Sequence, residues 1–155
     1  MSRPANKFKR PESVLVVVYT RTGKVLLLRR TDDPGFWQSV TGSLLWEEKE
    51  PRQAAERELQ EETGLAPSEL QETGWVNRYT ILPQWRHRYA PEVNENTEHV
   101  FFLVLPGERK INVNFNEHTE YGWYSFDAAA EKAASWSNRE AILKLKENVE
   151  TGHDA

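Results

Sequence analysis

Arg57-Glu58-Leu59-Gln60-Glu61-Glu62-Thr63-Gly64 is the stretch whose reading decides the architecture of this chain. Upstream, Pro51 suits a first helical turn, and Gly64 supplies the left-handed residue that ends a helix. The interval from about Pro51 to Thr63 is therefore predicted helical. At 100° per residue, Glu58, Glu61 and Glu62 fall within an arc of roughly 100° on one face, where their carboxylates converge. Convergence alone is unfavourable. Like charges three and four residues apart destabilise a helix by roughly 0.2–0.5 kcal/mol per pair and raise one another's pKa. A bound divalent cation reverses the sign of that interaction, whereas a solvated acidic face is the plainer reading of the same residues.

Working outward, 155 residues suit one domain with one core. A content of 38% hydrophobic and 11% aromatic residues, with six Trp, is too rich for a disordered chain despite 28% charged residues. The chain has no cysteine. That removes disulfides, thiolate zinc sites and cysteine nucleophiles, leaving oxygen or imidazole to hold any metal. A formal charge of -4 argues against a nucleic-acid surface but leaves room for a small anionic substrate where basic residues cluster. The longest apolar run, Val14 to Tyr19, is far short of the roughly 20 residues of a membrane span. The basic stretch Met1 to Arg10 is not followed by a signal-peptide apolar region, so a soluble, cytoplasmic protein is expected.

Ser13 to Tyr19 and Lys24 to Leu28 read as strands joined by a Thr20-Arg21-Thr22-Gly23 turn, and their continuous apolarity implies a sheet covered on both faces. A polar loop with Pro34-Gly35 follows, then a short Trp37 to Val40 stretch. Further strands are expected at Gly74 to Leu82, His99 to Leu105 and Tyr121 to Phe126. Helices are expected at Asp127 to Ala134, capped by Asp127, and at Asn138 to Val149, capped by Asn138. The segment Pro83 to Thr97, with Trp85, Arg86, His87, Arg88 and Tyr89, is long enough to be a functional loop. Residues 151–155 are expected to fray. Strands with intercalated helices predict an α/β (α+β) domain over residues 1–150, a mixed β-sheet between helices in an α/β/α sandwich.

Gly42, Glu48, Arg57-Glu58-Leu59, Glu61-Glu62 and Gly64-Leu65 resemble the Nudix box, G-x5-E-x7-R-E-U-x-E-E-x-G-U with U apolar. One departure is visible: eight residues, Lys49 to Glu56, separate Glu48 from Arg57 where the pattern has seven. An insertion near Lys49 leaves the Arg57 to Leu65 register intact but puts the placement of Glu48 in doubt. The resemblance implies Mg²⁺-dependent cleavage of a diphosphate linkage, with Mn²⁺ as a substitute cation. It implies Glu58 and Glu62 as metal ligands, Glu61 as ligand of a second metal or as general base, and Arg57 as the residue that orients a carboxylate.

Other segments carry a second resemblance. Lys9-Arg10-Pro11, Asp32 to Ser43, His87-Arg88-Tyr89-Ala90-Pro91, Asn96-Thr97-Glu98 and Ser135-Trp136-Ser137-Asn138-Arg139 look like the bacterial dihydroneopterin triphosphate diphosphatases over nearly the whole chain. The implied reaction releases pyrophosphate from dihydroneopterin triphosphate, leaving dihydroneopterin monophosphate in folate biosynthesis. The alternatives are a broader dATP and nucleoside triphosphate pyrophosphohydrolase, or a non-catalytic nucleotide-binding module of the same fold. For a planar heterocycle bearing triphosphate, pterin or purine, the candidates are Lys9 and Arg30 for phosphates, Thr41 and Ser135 as hydrogen-bonding groups, and Tyr79 or Trp136 for the ring. Glu117 matches a further metal-ligating glutamate outside the box. Against these stand plainer readings: Lys9 and Arg30 as solvated strand ends, Glu117 as an exposed loop residue, and Trp136 as a core residue pinning the last helix. There is no H-E-x-x-H motif, P-loop or G-x-S-x-G elbow.

Overall fold

Two runs of branched and leucine side chains make the centre of the fold. They form β1 (Glu12–Thr20) and β2 (Lys24–Arg30). Because alternate side chains leave a strand on opposite faces, each run feeds two cores at once. Val14, Val16, Val18, Leu26 and Leu28 point one way, and Leu15, Val17, Tyr19, Val25 and Leu27 the other. The computed structural model describes residues 7–152. Its remaining elements are β3 (Trp37–Gln38), β4 (Val40–Ser43), α1 (Pro51–Thr63), β5 (Gln71–Thr80), β6 (Glu95–Leu105), β7 (His118–Ser125), α2 (Phe126–Lys132) and α3 (Trp136–Glu150).

β1 and β6 run parallel with Leu15 opposite Val100 and Val17 opposite Phe102, while the other pairings are antiparallel. The strand order is β3-β2-β1-β6-β5, with β4 also on β1 and β7 on β2, which is the expected mixed sheet. Ala54, Ala55 and Leu59 of α1 cover one face, and Ala129 and Ala130 of α2 with Ala141, Ile142 and Leu145 of α3 cover the other. This is the expected sandwich. Truncating Leu59, fully buried at the α1 contact, to Ala costs about 2–5 kcal/mol. Among the described residues no helix is long and apolar enough to cross a membrane.

The helix α1 has the predicted bounds, and Gly64 ends it at φ 76° with its N–H bonded to the Gln60 carbonyl at 2.9 Å. The two later helices begin earlier than their side chains suggest. Ser125 caps α2 by accepting from the Ala128 N–H at 3.3 Å, and Ser135 caps α3 by accepting from the Asn138 N–H at 3.2 Å. Asn138 is unavailable as a cap because its amide is buried against Ser39, accepting from the Ser39 N–H at 2.8 Å and donating to the Ser39 hydroxyl at 2.9 Å. Asp127 instead accepts from Lys146 Nζ at 2.9 Å, tying α2 to α3. The expected long loop is shorter too: Pro83–Arg88 forms a 3-10 turn and β6 starts at Glu95. Thr151 and Gly152 form an exposed turn past α3, while residues 1–6 and 153–155 of the expected basic terminus and frayed tail lie outside the described residues.

Candidate active site

Of Glu58, Glu61 and Glu62 on α1, the turn geometry sends two inward. Glu58 and Glu62, one turn apart, are 8% and 1% exposed, whereas the Glu61 side chain is 51% exposed. Glu62 Oε1 is buried without a hydrogen-bond partner, its neighbour His118 Nε2 being 3.9 Å away. Burial, then the hydrogen bond and charge of Glu58, push the Glu62 carboxyl well above its ordinary pKa, against a smaller opposing effect of the Thr41 backbone amide. His118 does not offset that charge. Burial, then the Arg30 charge, push its pKa down to about 4. Its Nε2 lies 3.2 Å from the donor Nε2 of Gln38, so that ring nitrogen accepts. Gly42 makes room for the pair, since a Cβ there would overlap the Glu58 carboxyl.

Arg57 is the hub of this acidic cluster. Its guanidinium grips Glu48 in a two-point fork, both contacts at 3.0 Å, and reaches Glu58 Oε1 at 2.6 Å, the Ser43 carbonyl at 3.0 Å and Glu61 at 3.4 Å. The extra residue after Glu48 is therefore absorbed before α1. Gln53 Oε1 accepts from the N–H groups of Lys49 and Glu50 at 2.8 and 2.9 Å, folding the surplus into a tight turn. Arg10 holds the same loop from the other side, donating to the carbonyls of Leu45 at 3.0 Å and Glu48 at 2.7 Å.

Arg10, Gly42, Arg57, Glu58 and Glu62 wall one end of a cavity of about 770 Å³ that wraps around the ends of β1 and β6 from the α1 face to the α3 face. Lys9, Arg30, Thr41, Tyr79, Ser135 and Glu117 all line it. Glu61 does not, so the structure sets this one expected residue at the rim. Lys9 stands between groups of opposite sign: burial and the charges of Arg88 and Arg30 lower its pKa, while Glu58 and Glu117 raise it. Arg30 is forked onto Asp32 at 2.7 and 2.6 Å and lies 4.9 Å over the Trp85 ring. Glu117 approaches from the β6–β7 connection, its carboxyl pKa raised by burial and then by the charges of Glu58 and Glu61. The Thr41 hydroxyl donates to the Val14 carbonyl at 2.8 Å, and the Ser135 hydroxyl doubles as the α3 cap.

At the α3 end, Tyr79 and Trp136 meet edge to face, 6.1 Å between centroids. Trp136 is 49% exposed, which removes the reading of it as a core residue. Sequence reasoning quoted Arg10, Gln38, Asn96 and Glu98 within the resembling segments but gave none of them a role in the site, although all four line the cavity. A signal was present for the last two: they share a strand face with Val100 and Phe102, two and four residues on from Glu98.

A cation fits this end of the cavity. The orphaned Glu62 oxygen and the mutual repulsion of Glu58, Glu62 and Glu117 favour a positive charge among them, and an all-oxygen donor set suits a hard divalent ion. Among the described residues no three Asp, Glu and His side chains are already closed into a metal cage. Glu58 is engaged by Arg57, and Glu117 comes from a separate loop.

The profile of the NUDIX domain family matches residues 9–145. The dihydroneopterin triphosphate diphosphatase of Escherichia coli K12 is 49% identical over 147 residues, covering 92% of this chain and 96% of that protein. Its counterpart from Haemophilus influenzae is 39% identical, covering 92% of both. The solved structure of the E. coli dihydroneopterin triphosphate pyrophosphohydrolase superposes with a TM-score of 0.86 at 44% identity, covering 92% of this chain and 99% of that one.

Proposed function

The chain belongs to the Nudix family, and from that premise we propose that it hydrolyses dihydroneopterin triphosphate to dihydroneopterin monophosphate and pyrophosphate, with Mg²⁺ as its cation and Mn²⁺ as a substitute. The observation that carries this reading is one cavity with a buried carboxylate pair at one end, basic side chains beside it and an aromatic corner at the other.

Glu58, Glu62 and Glu117 are the oxygen donors that would hold the cation. When bound, it neutralises phosphate oxygens and activates the attacking water. Arg57 keeps Glu58 and Glu48 aimed, and Lys9 with Arg30 receives the triphosphate charge. We assign to Glu61, solvent-facing and tethered only weakly to Arg57, the proton of the water as its oxygen bonds to phosphorus and the phosphoanhydride bond breaks. Tyr79, Trp136, Thr41 and Ser135 receive the heterocycle and its linker. We place the enzyme in the cytoplasm with a small-molecule partner.

The deciding experiment compares kcat/KM for dihydroneopterin triphosphate and dATP with Mg²⁺ present. A pterin preference is expected. A strong dATP preference overturns the pterin assignment in favour of the broader pyrophosphohydrolase, and no pyrophosphate from either substrate favours the non-catalytic module.

A further inference from the structure

We infer that Arg88 is a third cation of the triphosphate site, gripping the pyrophosphate portion that leaves, with Asp32 holding its guanidinium at the cavity wall until that anion arrives. This rests on the triphosphate reading of the cavity. Arg88 ends the 3-10 turn Pro83–Arg88. At about three residues per turn, side chains three apart eclipse one another, so Leu82, Trp85 and Arg88 share one side of it. All three line the cavity. The Lys9 N–H donates to the Arg88 carbonyl at 2.8 Å, which fixes the backbone of Arg88 against that of another basic residue of the site.

The two arginines at Asp32 are held differently. Arg30 commits Nε and Nη2 to the carboxylate at 2.7 and 2.6 Å and lies against the Trp85 and Phe36 rings at 4.9 and 5.8 Å. Its guanidinium is locked in place. Arg88 meets the same carboxylate through Nη2 alone, at 3.2 Å, longer than the roughly 2.7–2.9 Å of a firm charge-assisted hydrogen bond. Its side chain is 35% exposed. Most of its guanidinium donors are thus left for a ligand in the cavity.

Charge gives the arrangement its direction. The Arg30 hydrogen bond, offset in part by burial, then the Arg30 charge and Arg88, hold the Asp32 pKa at about 2. Asp32 therefore stays an anion, and its fork largely cancels the Arg30 charge. Lys9 and Arg88 carry the net positive charge of this wall. After burial, Arg88 is the largest influence lowering the Lys9 pKa, a repulsion that an incoming polyanion relieves. Lys9 also feels Glu58 and Glu117, which sets the basic group beside the carboxylate end where the anhydride is cut. Most of a triphosphate's charge lies on its β- and γ-phosphates, and a guanidinium fork matches phosphate oxygens in pairs. A single long contact to Asp32 is readily exchanged for that partner, whereas the Arg30 fork is not.

Calorimetric titration of pyrophosphate into the enzyme with Mg²⁺ present tests this without turnover. Arg88→Ala is expected to weaken pyrophosphate binding about tenfold or more and to lower kcat/KM for dihydroneopterin triphosphate by a similar factor, while dihydroneopterin monophosphate binds as to the parent. Arg86→Ala, on the same turn but off the cavity wall, removes the same charge and should keep the parent affinity. Parent-like pyrophosphate binding in Arg88→Ala overturns the inference, and so does an equal loss in Arg86→Ala or an equal loss on the monophosphate. If Arg88→Ala fails to fold, Arg88→Gln, closer in length and without the charge, must show the same weakening. Failure of the pterin reading is distinguishable: the unaltered enzyme would then neglect dihydroneopterin triphosphate, while pyrophosphate, which has no ring, would still separate Arg88→Ala from the parent.

Discussion

Replacing Gly42 with Ala tests the site through one methyl group. A Cβ at Gly42 would sit within 2.6 Å of Glu58 Oε1 and closer still to the rest of that carboxyl, where ordinary contact begins at 3.4 Å. The carboxyl must therefore retreat by roughly 1 Å, and a displacement of that size at a catalytic group costs about 100-fold in rate. Retreat also strains the 2.6 Å contact between Arg57 Nη1 and Glu58 Oε1. Because the obstructing atoms end a side chain, the fold should give way cheaply, by about 1–2 kcal/mol, lowering Tm by roughly 2–8 °C. Pyrophosphate release against Mg²⁺ concentration, with a thermal melt of the same sample, measures both effects. Gly107→Ala, where no atom lies within 4 Å of the new methyl, is the matched control and should behave as the parent. Parent-like turnover and an unchanged Mg²⁺ midpoint in Gly42→Ala would refute the placement of Glu58 at the reacting phosphates.

Glu62→Gln should lower kcat by about 100-fold or more, while its melting temperature without divalent ions is maintained or raised, because the substitution removes a buried charge beside Glu58. Glu61→Gln, at the exposed rim, should lower kcat without that gain in stability, and near-parent turnover in both variants would overturn the site. Arg57→Lys loses the fork onto Glu48 and should lower kcat about tenfold or more with little change in KM, read from full saturation curves. Chelation with EDTA should abolish turnover reversibly while circular dichroism stays native, since the core clusters owe nothing to the cation. Adding Mg²⁺ back should raise Tm in a concentration-dependent way, and a flat Tm would count against binding at the site.

What the sequence discloses depends on whether a residue's role is local. Glu58, Glu62 and Gly64 are legible because helical periodicity and a left-handed terminus are set within a few residues. The strands β1 and β2 are legible because burial on both faces leaves them continuously apolar. Asn138 misleads, since its capping propensity is overridden by a buried partner, Ser39, far off in sequence. Asn96 and Glu98 carry only the weak signal of strand alternation with Val100 and Phe102. Asn96 falls in the expected loop and Glu98 just short of the expected strand, until their pairing with Tyr79 and Asn77 places both on the inner face. The rim position of Glu61 likewise needs the sheet, because a helical wheel shows an arc without showing which edge of it is covered.

The extra residue after Glu48 sharpens the same point. If spacing along the chain fixed the site, an insertion between Glu48 and Arg57 would carry the carboxylate away from its neighbours. In the fold, Glu48 is fixed by contacts from elsewhere: the Arg57 fork, the Leu45 N–H donating to Oε1 at 2.7 Å, and Arg10 holding its carbonyl. The Arg57 hydrogen bond, offset in part by burial, keeps the Glu48 carboxyl below its ordinary pKa, so it remains an anion able to hold the guanidinium. The surplus residue falls where Gln53 gathers the turn into the first turn of α1, a place that imposes no register on either side. Motif spacing therefore reports the geometry of this site indirectly, and Arg57 and Arg10 preserve that geometry where the spacing departs.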